Sequence, residues 1–559
     1  MKLFPSLMIV LMLALAFGCG KADTPEPDAK QAAGQSSGQT LGKIPRATRG
    51  YILISIDTLR ADHLGCYGYP KPTSPFLDSL AKRATLFEEA YAQYPSTLVS
   101  HMSMLTGLHP REHGVYPPNS VLSDEIEILP EVFQRAGFRT GAFTEGGFLR
   151  ARYGFRRGFD VFSAQDRQGA RKIKATFTRA ARFLEGLKPE DRFFVFVHTY
   201  AVHTPYDAPP KYREPFWSGE APPNAIPATG PGVTRQNATG ERLEPRVVDW
   251  LTALYDAGIR QTDEVVGDFF AEIDRLGLSD DVTIIVTADH GEELQDHGKL
   301  SHTRLYRETL HVPLMVIHPD QRSGVRHGGV VQLLDLPATL YDLARLKPRS
   351  RTSGTSRATL LGSEAEPMPG TAWAEVAGGE RAVYRGEKES LESLLLFDPS
   401  LDDWISRRIS FDVSSGNLSF EARSFEAPRR LSVRQGGQVL SEAALTPAWT
   451  PVQARIAGPG RVELEGDGCV MEEAEQHGGQ GEYKCRGFQV RGVRLSRVEL
   501  YNISKDPGQR HDLSRERSRA TRVLLRDLLA FKPKAMAAAS APPLDPETEK
   551  NLKALGYLQ

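Results

Sequence analysis

Short apolar runs alternate with amphipathic segments between about residue 50 and residue 346. Runs of this kind are typical of strands buried on both faces, and they are Gly50–Asp57, Gly141–Thr144, Phe193–His198, Val282–Thr287 and Val312–His318. Between them, the apolar residues of Ile126–Ala136 and Val247–Leu276 repeat with the period of an α-helix. This alternation predicts an α/β fold, a doubly wound, mostly parallel sheet with helices on both faces.

The pattern changes near Lys347, where a polar stretch rich in Gly and Ser precedes segments of alternating polar and apolar residues such as Phe488–Leu500. Ser518–Ala530 then shows helical periodicity. We therefore predict a large domain over residues 49–346 and a smaller α+β subdomain over residues 347–559, in which this helix packs on an antiparallel sheet. The length of 559 residues agrees with two domains, because one hydrophobic core rarely serves so long a chain.

The start of the chain has the order of an export signal: a positive charge, an apolar run over Leu7–Phe17, and small residues around Cys19. The run is too short to span a bilayer. Ala16–Cys19 resembles the lipobox of bacterial lipoproteins, in which the Cys carries the lipid. We therefore predict a signal peptide over residues 1–19 and a lipid anchor on a bacterial membrane facing the periplasm or the exterior. An ordinary secretory signal is the alternative.

Three further features of the sequence concern a linker, an insertion and the cysteines. Residues 20–48 contain few large apolar side chains and are interpreted as a flexible tether. Residues 208–244 are rich in Pro, Gly and Asn and are interpreted as a surface insertion that shapes substrate access. In an oxidising compartment Cys469 and Cys485 could form a disulfide and leave Cys66 as a buried thiol; three unpaired thiols are the alternative.

Polar residues that could bind a metal ion or act in catalysis lie at the ends of the predicted strands. They are Asp57, Thr97 and the pair Asp289-His290. Carboxylate oxygens and an imidazole nitrogen can bind a divalent cation, which would activate a nearby hydroxyl as a nucleophile. Taken singly, Asp57 is as readily explained as a helix N-cap. The net charge of −1 gives no indication of a nucleic-acid partner.

The segments around these residues resemble the sulfatase family of the alkaline phosphatase superfamily. The matching motifs are Asp57 to Gly68, Leu105 to Pro110, Leu129 to Thr140, Thr287 to Glu292, His311 to Leu314 and, near the end of the chain, Glu499 to Asn502. The resemblance implies the sulfatase fold, a metal-dependent site and hydrolysis of sulfuric or phosphoric esters.

Several positions depart from the family pattern. The resemblance places Thr97 where sulfatases carry the Cys or Ser that is oxidised to formylglycine, an aldehyde that Thr cannot form. His101 stands at the position of the Arg that supports the aldehyde hydrate. Glu145 and Gly147 occupy the places of the sulfate-contacting Lys and His, and Thr58 replaces the second Asp of the metal-binding pair.

A Thr nucleophile resembles that of the phosphoryl-transfer members of the superfamily, among them the phosphoethanolamine transferases. His203 matches a His that faces the ester in both branches, and His302 has a spacing similar to a substrate-side His of the transferases. The resemblance implies that Thr97 attacks phosphorus or sulfur and that His203 or His302 protonates the leaving group. The alternative for both histidines is a purely structural hydrogen bond.

The sequence thus predicts a hydrolase that favours phosphate monoesters or diesters over sulfate esters. The metal site would consist of Asp57, Thr97, Asp289 and His290, with one or two divalent ions; zinc or manganese is favoured, and calcium or magnesium is the alternative. The predicted partners are a small-molecule, glycan or lipid ester and, through the N-terminal lipid, the membrane. A phosphoryl-group transferase and a non-catalytic surface protein on the same fold are the competing interpretations.

Overall fold

The computed structural model describes residues 42–118, 120–165 and 173–364 without a break, and residues 370–554 in segments separated by short gaps. The predicted signal segment 1–19, most of the predicted tether and Cys469 lie outside these residues. The lipid anchor and the Cys469–Cys485 disulfide therefore stay predictions. Cys66 is a free thiol, and it is half-buried rather than fully buried.

The strands of the N-terminal part include all five predicted ones. They are β1 Gly50–Ile56, β2 Thr85–Tyr91, β3 Ser120–Val121, β4 Arg139–Thr144, β5 Val161–Ala164, β6 Phe193–Thr199, β7 Val282–Thr287, β8 Glu293–Leu294, β9 Leu300–Ser301, β10 His311–Ile317 and β11 Val325–Gln332.

Eight of these strands form one sheet within the described part of the chain, in the order β11-β2-β10-β7-β1-β6-β4-β5. All of them run in one direction except β10, which is antiparallel to both of its neighbours. The prediction of an α/β fold with a mostly parallel sheet is confirmed. Sequence reasoning missed β2, β5 and β11, whose apolar runs are interrupted by polar or glycine residues such as Glu88, Glu89 and Gly328.

Helices lie between the strands. They are α1 Pro75–Ala81, α2 Thr97–Thr106, α3 Pro110–His113, α4 Leu129–Arg135, α5 Ile173–Glu185, α6 Pro210–Arg213, α7 Gly230–Thr239, α8 Pro245–Arg275, α9 Arg307–Leu310 and α10 Asp335–Ala344. The long helix α8 has the extent that its apolar period predicted, to within two residues at its start. The predicted insertion over residues 208–244 contains two helices, α6 and α7.

The C-terminal part is built mainly from antiparallel strands, as predicted. Its elements are β12 Gly370–Glu375, β13 Arg381–Gly386, β14 Glu392–Phe397, β15 Trp404–Ser406, β16 Arg408–Val413, β17 Gly416–Ser424, β18 Arg429–Gln435, β19 Gln438–Leu445, β20 Thr450–Ile456, β21 Gly460–Gly466, β22 Val470–Glu473, β23 Tyr483–Arg486, β24 Phe488–Asn502, α11 Ser518–Ala530, β25 Ala539–Ser540 and α12 Pro546–Ala554. The predicted helix, α11, packs on this sheet through Leu524 and Leu528, which contact Val383, Leu394 and Leu500.

Apolar side chains from the large sheet and from strands β12 to β14 belong to one continuous core. Residues Leu41–Gln559 accordingly form a single compact unit. The predicted boundary at residue 346 separates two kinds of sheet inside this unit and stays a prediction as a domain boundary. Within the described residues no helix has the length and apolar character needed to cross a bilayer.

Candidate active site

The candidate residues meet at the carboxyl ends of the central parallel strands. Ser55 of β1 is paired with His198 of β6 on one side and with Thr287 of β7 on the other. Asp57 therefore leaves its strand at the same level as Asp289, which follows β7. In open α/β sheets this edge is where ligands bind, because the strands end and their connections diverge there.

Thr97 reaches the same edge from a helix. It is the first residue of α2, whose ten residues are all buried. Its Oγ1 donates a hydrogen bond to Asp57 Oδ2 at 3.1 Å. The first backbone N–H groups of a helix lack partners within the helix and attract negative charge, so a nucleophile placed here would face an anionic ester favourably.

Asp289 is held by backbone donors on one oxygen only. Its Oδ1 accepts hydrogen bonds from the backbone N–H groups of Thr58 at 3.3 Å and His290 at 2.9 Å. Its Oδ2 is buried and has no hydrogen-bond partner within the described part of the chain. Burial, together with the nearby charge of Asp57, raises the pKa of Asp289 to about 7. A bound cation would reverse this shift by neutralising the two carboxylates.

The imidazole of His290 is oriented for metal binding. Its Nδ1–H donates to the carbonyl of Gly291 at 2.9 Å, so that the lone pair of the neutral ring lies on Nε2. That Nε2 is buried and unbonded among the residues that the structure describes. Asp57, Asp289 and His290 each bring one ligand atom within 4.8 Å of the others.

A second group of possible ligands, formed by His101, His198 and Asp289, satisfies the same distance limit. His101 is a poor ligand in this arrangement, because its Nδ1–H donates to the carbonyl of Thr97 at 2.8 Å and its Nε2 lies 2.9 Å from the hydroxyl of Ser55. The residues therefore fit a divalent cation held by Asp57, Asp289 and His290, with the hydroxyl of Thr97 alongside.

The protonation states of the buried histidines also favour a bound cation. Burial lowers the pKa of His101 and His290 to about 3 and that of His198 to about 4, so these rings are neutral at pH 7. None of these three rings therefore supplies a positive charge to the buried carboxylates of Asp57 and Asp289. Buried carboxylates are expensive unless they are paired or coordinate a metal.

His198 is the residue that sequence reasoning missed. It lies near the end of β6 and its Nε2 is 3.2 Å from Asp57 Oδ2. The available signal was its place at the carboxyl end of an apolar run that pairs with β1. A histidine there is positioned to orient the carboxylate that also accepts from Thr97.

The two predicted acid–base residues face each other. His203 Nε2 lies 3.2 Å from His302 Nε2. The opposite nitrogen of each ring is anchored to a carbonyl, His203 Nδ1 to Thr204 at 2.6 Å and His302 Nδ1 to Pro95 at 3.0 Å. The ring of His302 also lies 4.3 Å, centre to centre, from that of His290. The pair His203 and His302 therefore lies next to the candidate metal ligands, through the contact between His302 and His290.

Glu145 and Gly147 lie at the two positions where the family pattern has the sulfate-contacting Lys and His. Glu145 accepts hydrogen bonds from the hydroxyl of Thr199 at 2.8 Å and from the backbone N–H of Tyr200 at 3.1 Å. Gly147 has a φ of 60°, and a Cβ there would lie 2.4 Å from the hydroxyl oxygen of Tyr200. The tyrosine thus fills the space into which a side chain at position 147 would project.

Fold and site together are those of the sulfatase branch of the alkaline phosphatase superfamily. The profile of the Sulfatase family matches residues 49–346, more than half of the chain, and the chain belongs to this family. Sequence relatives include the ulvan-active sulfatase of Formosa agariphila, 26% identical over 56% of this chain and 64% of the relative. The human N-sulphoglucosamine sulphohydrolase is 27% identical over 56% of this chain and 65% of the relative. The chain thus spans less than two thirds of these relatives' length.

Solved structures agree on the fold. A protein whose structure was solved in complex with its substrate D-glucosamine-2-N,6-O-disulfate superposes with a TM-score of 0.59 at 14% identity, over 87% of this chain and 97% of the other. The phosphonate monoester hydrolase of Agrobacterium radiobacter gives a TM-score of 0.56 at 15% identity, over 87% and 95%. At such low identity these similarities establish the fold and leave the reaction open.

Proposed function

We propose that this protein is a metal-dependent ester hydrolase in which Thr97 is the nucleophile and phosphoesters are preferred over sulfate esters. The observation that carries the proposal is the hydrogen bond from Thr97 Oγ1 to Asp57 Oδ2, at the N-terminus of a buried helix and beside Asp289 and His290. A divalent cation held by Asp57, Asp289 and His290 would supply positive charge to the ester oxygens and lower the pKa of the threonine hydroxyl.

Thr97 performs the first step. Its Oγ1–H already points to a carboxylate that can accept the proton, and the freed oxygen attacks the phosphorus or sulfur atom. A bond forms between Thr97 Oγ1 and that atom while the bond to the leaving oxygen breaks. Backbone N–H groups at the start of α2 favour the anionic group during the transfer.

The pair His203 and His302 supplies the proton for the leaving oxygen. Their Nε2 atoms lie 3.2 Å apart, so a proton placed between them is held close to both rings. In the second step water gives up its proton to the same pair and attacks the phosphorus or sulfur atom, and the bond from that atom to Thr97 Oγ1 breaks. Asp57 returns the proton that it accepted in the first step, which restores the Thr97 hydroxyl.

The preference for phosphoesters rests on the occupants of the sulfate-clamp positions. A carboxylate at Glu145 contributes negative charge where a Lys would contribute positive charge, and Gly147 contributes no side chain. A formylglycine mechanism is incompatible with Thr97. The sequence relatives, in contrast, are sulfatases, and this makes sulfate-ester hydrolysis the second candidate activity.

A substrate panel with matched Thr97 variants tests the proposal. Purified protein loaded with zinc, manganese, calcium or magnesium should hydrolyse aryl phosphate mono- or diesters faster than the matching aryl sulfates. Thr97→Ala should lower kcat on the order of a thousandfold or more, whereas Thr97→Ser should keep part of the activity because it keeps the hydroxyl. Mass spectrometry of quenched enzyme should find the transferred group on the peptide that contains Thr97.

Two results would contradict the proposal in different ways. Efficient aryl sulfate hydrolysis with little phosphoester activity would overturn the preference while leaving the nucleophile in place. Full activity of Thr97→Ala would overturn the mechanism itself. Metal affinity measured on the same variant provides the control, since Asp57, Asp289 and His290 should still bind the cation.

A further inference from the structure

The segment that leads into His302 has unusual backbone geometry. It is the hairpin of β8 and β9, which ends at Ser301, and His302 is the next residue. Gln295 has a φ of 69° and Ser301 a φ of 77°, both in the left-handed region that non-glycine residues seldom occupy. Such conformations cost roughly 1–3 kcal/mol each and persist only where surrounding contacts enforce them.

Helix α7 of the insertion provides contacts of this kind. The Asn237 side chain makes a pair of hydrogen bonds with the main chain of Leu300, donating from Nδ2 to the carbonyl at 2.9 Å and accepting at Oδ1 from the N–H at 2.9 Å. The amide thus binds the edge of β9 as a neighbouring strand would. Lys299 Nζ adds a hydrogen bond to the backbone carbonyl of Asn237 at 3.1 Å.

The insertion also holds the other end of the same hairpin. The backbone N–H of Leu243, just beyond α7, donates to Gln295 Oε1 at 2.9 Å. The insertion is also bonded to the His203 segment, because Tyr206 N–H donates to the carbonyl of Ala228 at 2.9 Å. One surface element is therefore bonded to both segments that bring a histidine into the site.

We propose that Asn237 is a positioning residue, which fixes the Leu300–Ser301 main chain and thereby sets His302 against His203. The inference rests on the proposed function, because it assigns the pair a role in protonating the leaving oxygen. Pro95 orients the ring of His302 through Nδ1, and Asn237 fixes the backbone from which that ring projects. Without the amide, Ser301 can relax towards negative φ and carry His302 away from its partner.

Asn237→Ala tests the proposal, with Arg235→Ala as the matched control, since Arg235 is exposed on the same helix. Amide hydrogen exchange of the peptide spanning residues 299–303 should accelerate in Asn237→Ala and stay unchanged in Arg235→Ala. This readout needs no turnover. Unchanged exchange in Asn237→Ala would overturn the proposal, and it decides the matter even if the wild-type protein hydrolyses no ester and the proposed function fails.

The catalytic consequence should depend on the leaving group. An alkyl phosphoester needs a proton at its leaving oxygen and should lose about tenfold or more in kcat in Asn237→Ala, whereas a 4-nitrophenyl ester should lose much less. A merely structural defect would lower both rates equally, and that result would overturn the proposal. In a His302→Ala background the further change Asn237→Ala should have little effect, because the two residues act as one unit.

Discussion

Thr58 has a φ of 56°, a left-handed conformation that is a genuine outlier for a β-branched residue. The strain is enforced from helix α8. Tyr255 is fully buried, and its hydroxyl donates to the carbonyl of Thr58 at 2.7 Å and accepts from the N–H of Arg60 at 2.9 Å. Because Thr58 N–H in turn binds Asp289, one tyrosine supports the backbone that connects the two acidic residues of the site.

Tyr255→Phe should therefore destabilise the protein and weaken metal binding together. It leaves a buried carbonyl and a buried N–H without their partner, at a cost of about 1–3 kcal/mol. Urea unfolding measures the stability, and titration with zinc in the presence of a competing chelator measures the affinity. Tyr212→Phe is the control, because the Tyr212 hydroxyl bonds to the partly exposed carboxylate of Glu264, where water can replace it. An equal loss in both variants would contradict the assigned role.

Between elements, a buried ion pair joins β2 to α9. Arg307 contacts both carboxylate oxygens of Glu89, at 2.5 and 3.0 Å, and the Tyr91 hydroxyl donates to the same carboxylate at 2.8 Å. Burial alone would raise the pKa of Glu89, but the charges of Arg307 and His311 and the hydrogen bonds from Arg307 and Tyr91 together outweigh it and hold the pKa below its usual value. Residues of α9 follow the His302 segment, so this pair anchors the loop that leads away from the site.

The depressed pKa of Glu89 predicts a pH dependence of stability. Its contribution is fully present above the unfolded-state pKa of about 4.3 and is lost as the pH falls through the folded-state pKa. Glu89→Gln should lower the free energy of unfolding by about 3–5 kcal/mol, because it leaves the buried charge of Arg307 without its carboxylate partner. The double variant Glu89→Gln, Arg307→Met should recover part of that loss and show a shallower decline of stability in acid.

Urea unfolding at several pH values measures both effects. Glu185→Gln serves as the control, since the Glu185–Arg275 pair is exposed on both sides and should contribute little. An acid profile of the double variant as steep as that of the wild-type protein would show that other carboxylates control the acid transition.

At the scale of the whole molecule, we expect stability to depend on a bound cation, because the buried carboxylates of Asp57 and Asp289 lie together at the candidate metal site. A ligand that binds only the folded state stabilises it by on the order of 3 kcal/mol at a hundredfold excess over its Kd. We expect zinc or manganese to raise Tm and a chelator to reverse the rise. Asp289→Asn and His290→Ala should abolish the response, whereas Asp268→Asn, at an exposed carboxylate, should keep it. A Tm that is indifferent to every divalent ion would reject the site.

The cellular placement is a separate proposal at this scale. We propose that the protein is exported and anchored through a lipid on Cys19, which the lipobox-like residues before it support. Metabolic labelling with a fatty acid should mark the wild-type protein, and Cys19→Ser should move it out of the membrane fraction. Exported but unlabelled protein would favour an ordinary secretory signal, and retention in the cytoplasm would reject both.

The strands whose apolar runs are continuous could be predicted from the sequence alone. Val282–Thr287 has the predicted bounds, and so does helix Ser518–Ala530, because burial on both faces or on one helix face leaves a periodic record in the chain. The sequence also indicated which residues are candidates for the chemistry, since Asp57 and the pair Asp289-His290 lie at the ends of two of these apolar runs.

The contacts among these residues, in contrast, became evident from the three-dimensional fold. His198 could be assigned beside Asp57 only when the register of β6 against β1 was known, and Asn237 could be linked to His302 only when α7 was seen to bond β9. The strained φ of Thr58 and Ser301 has the same origin, because hydrogen bonds from residues distant in sequence stabilise it. Local propensity disfavours such conformations, and long-range contacts leave no periodic trace in the chain.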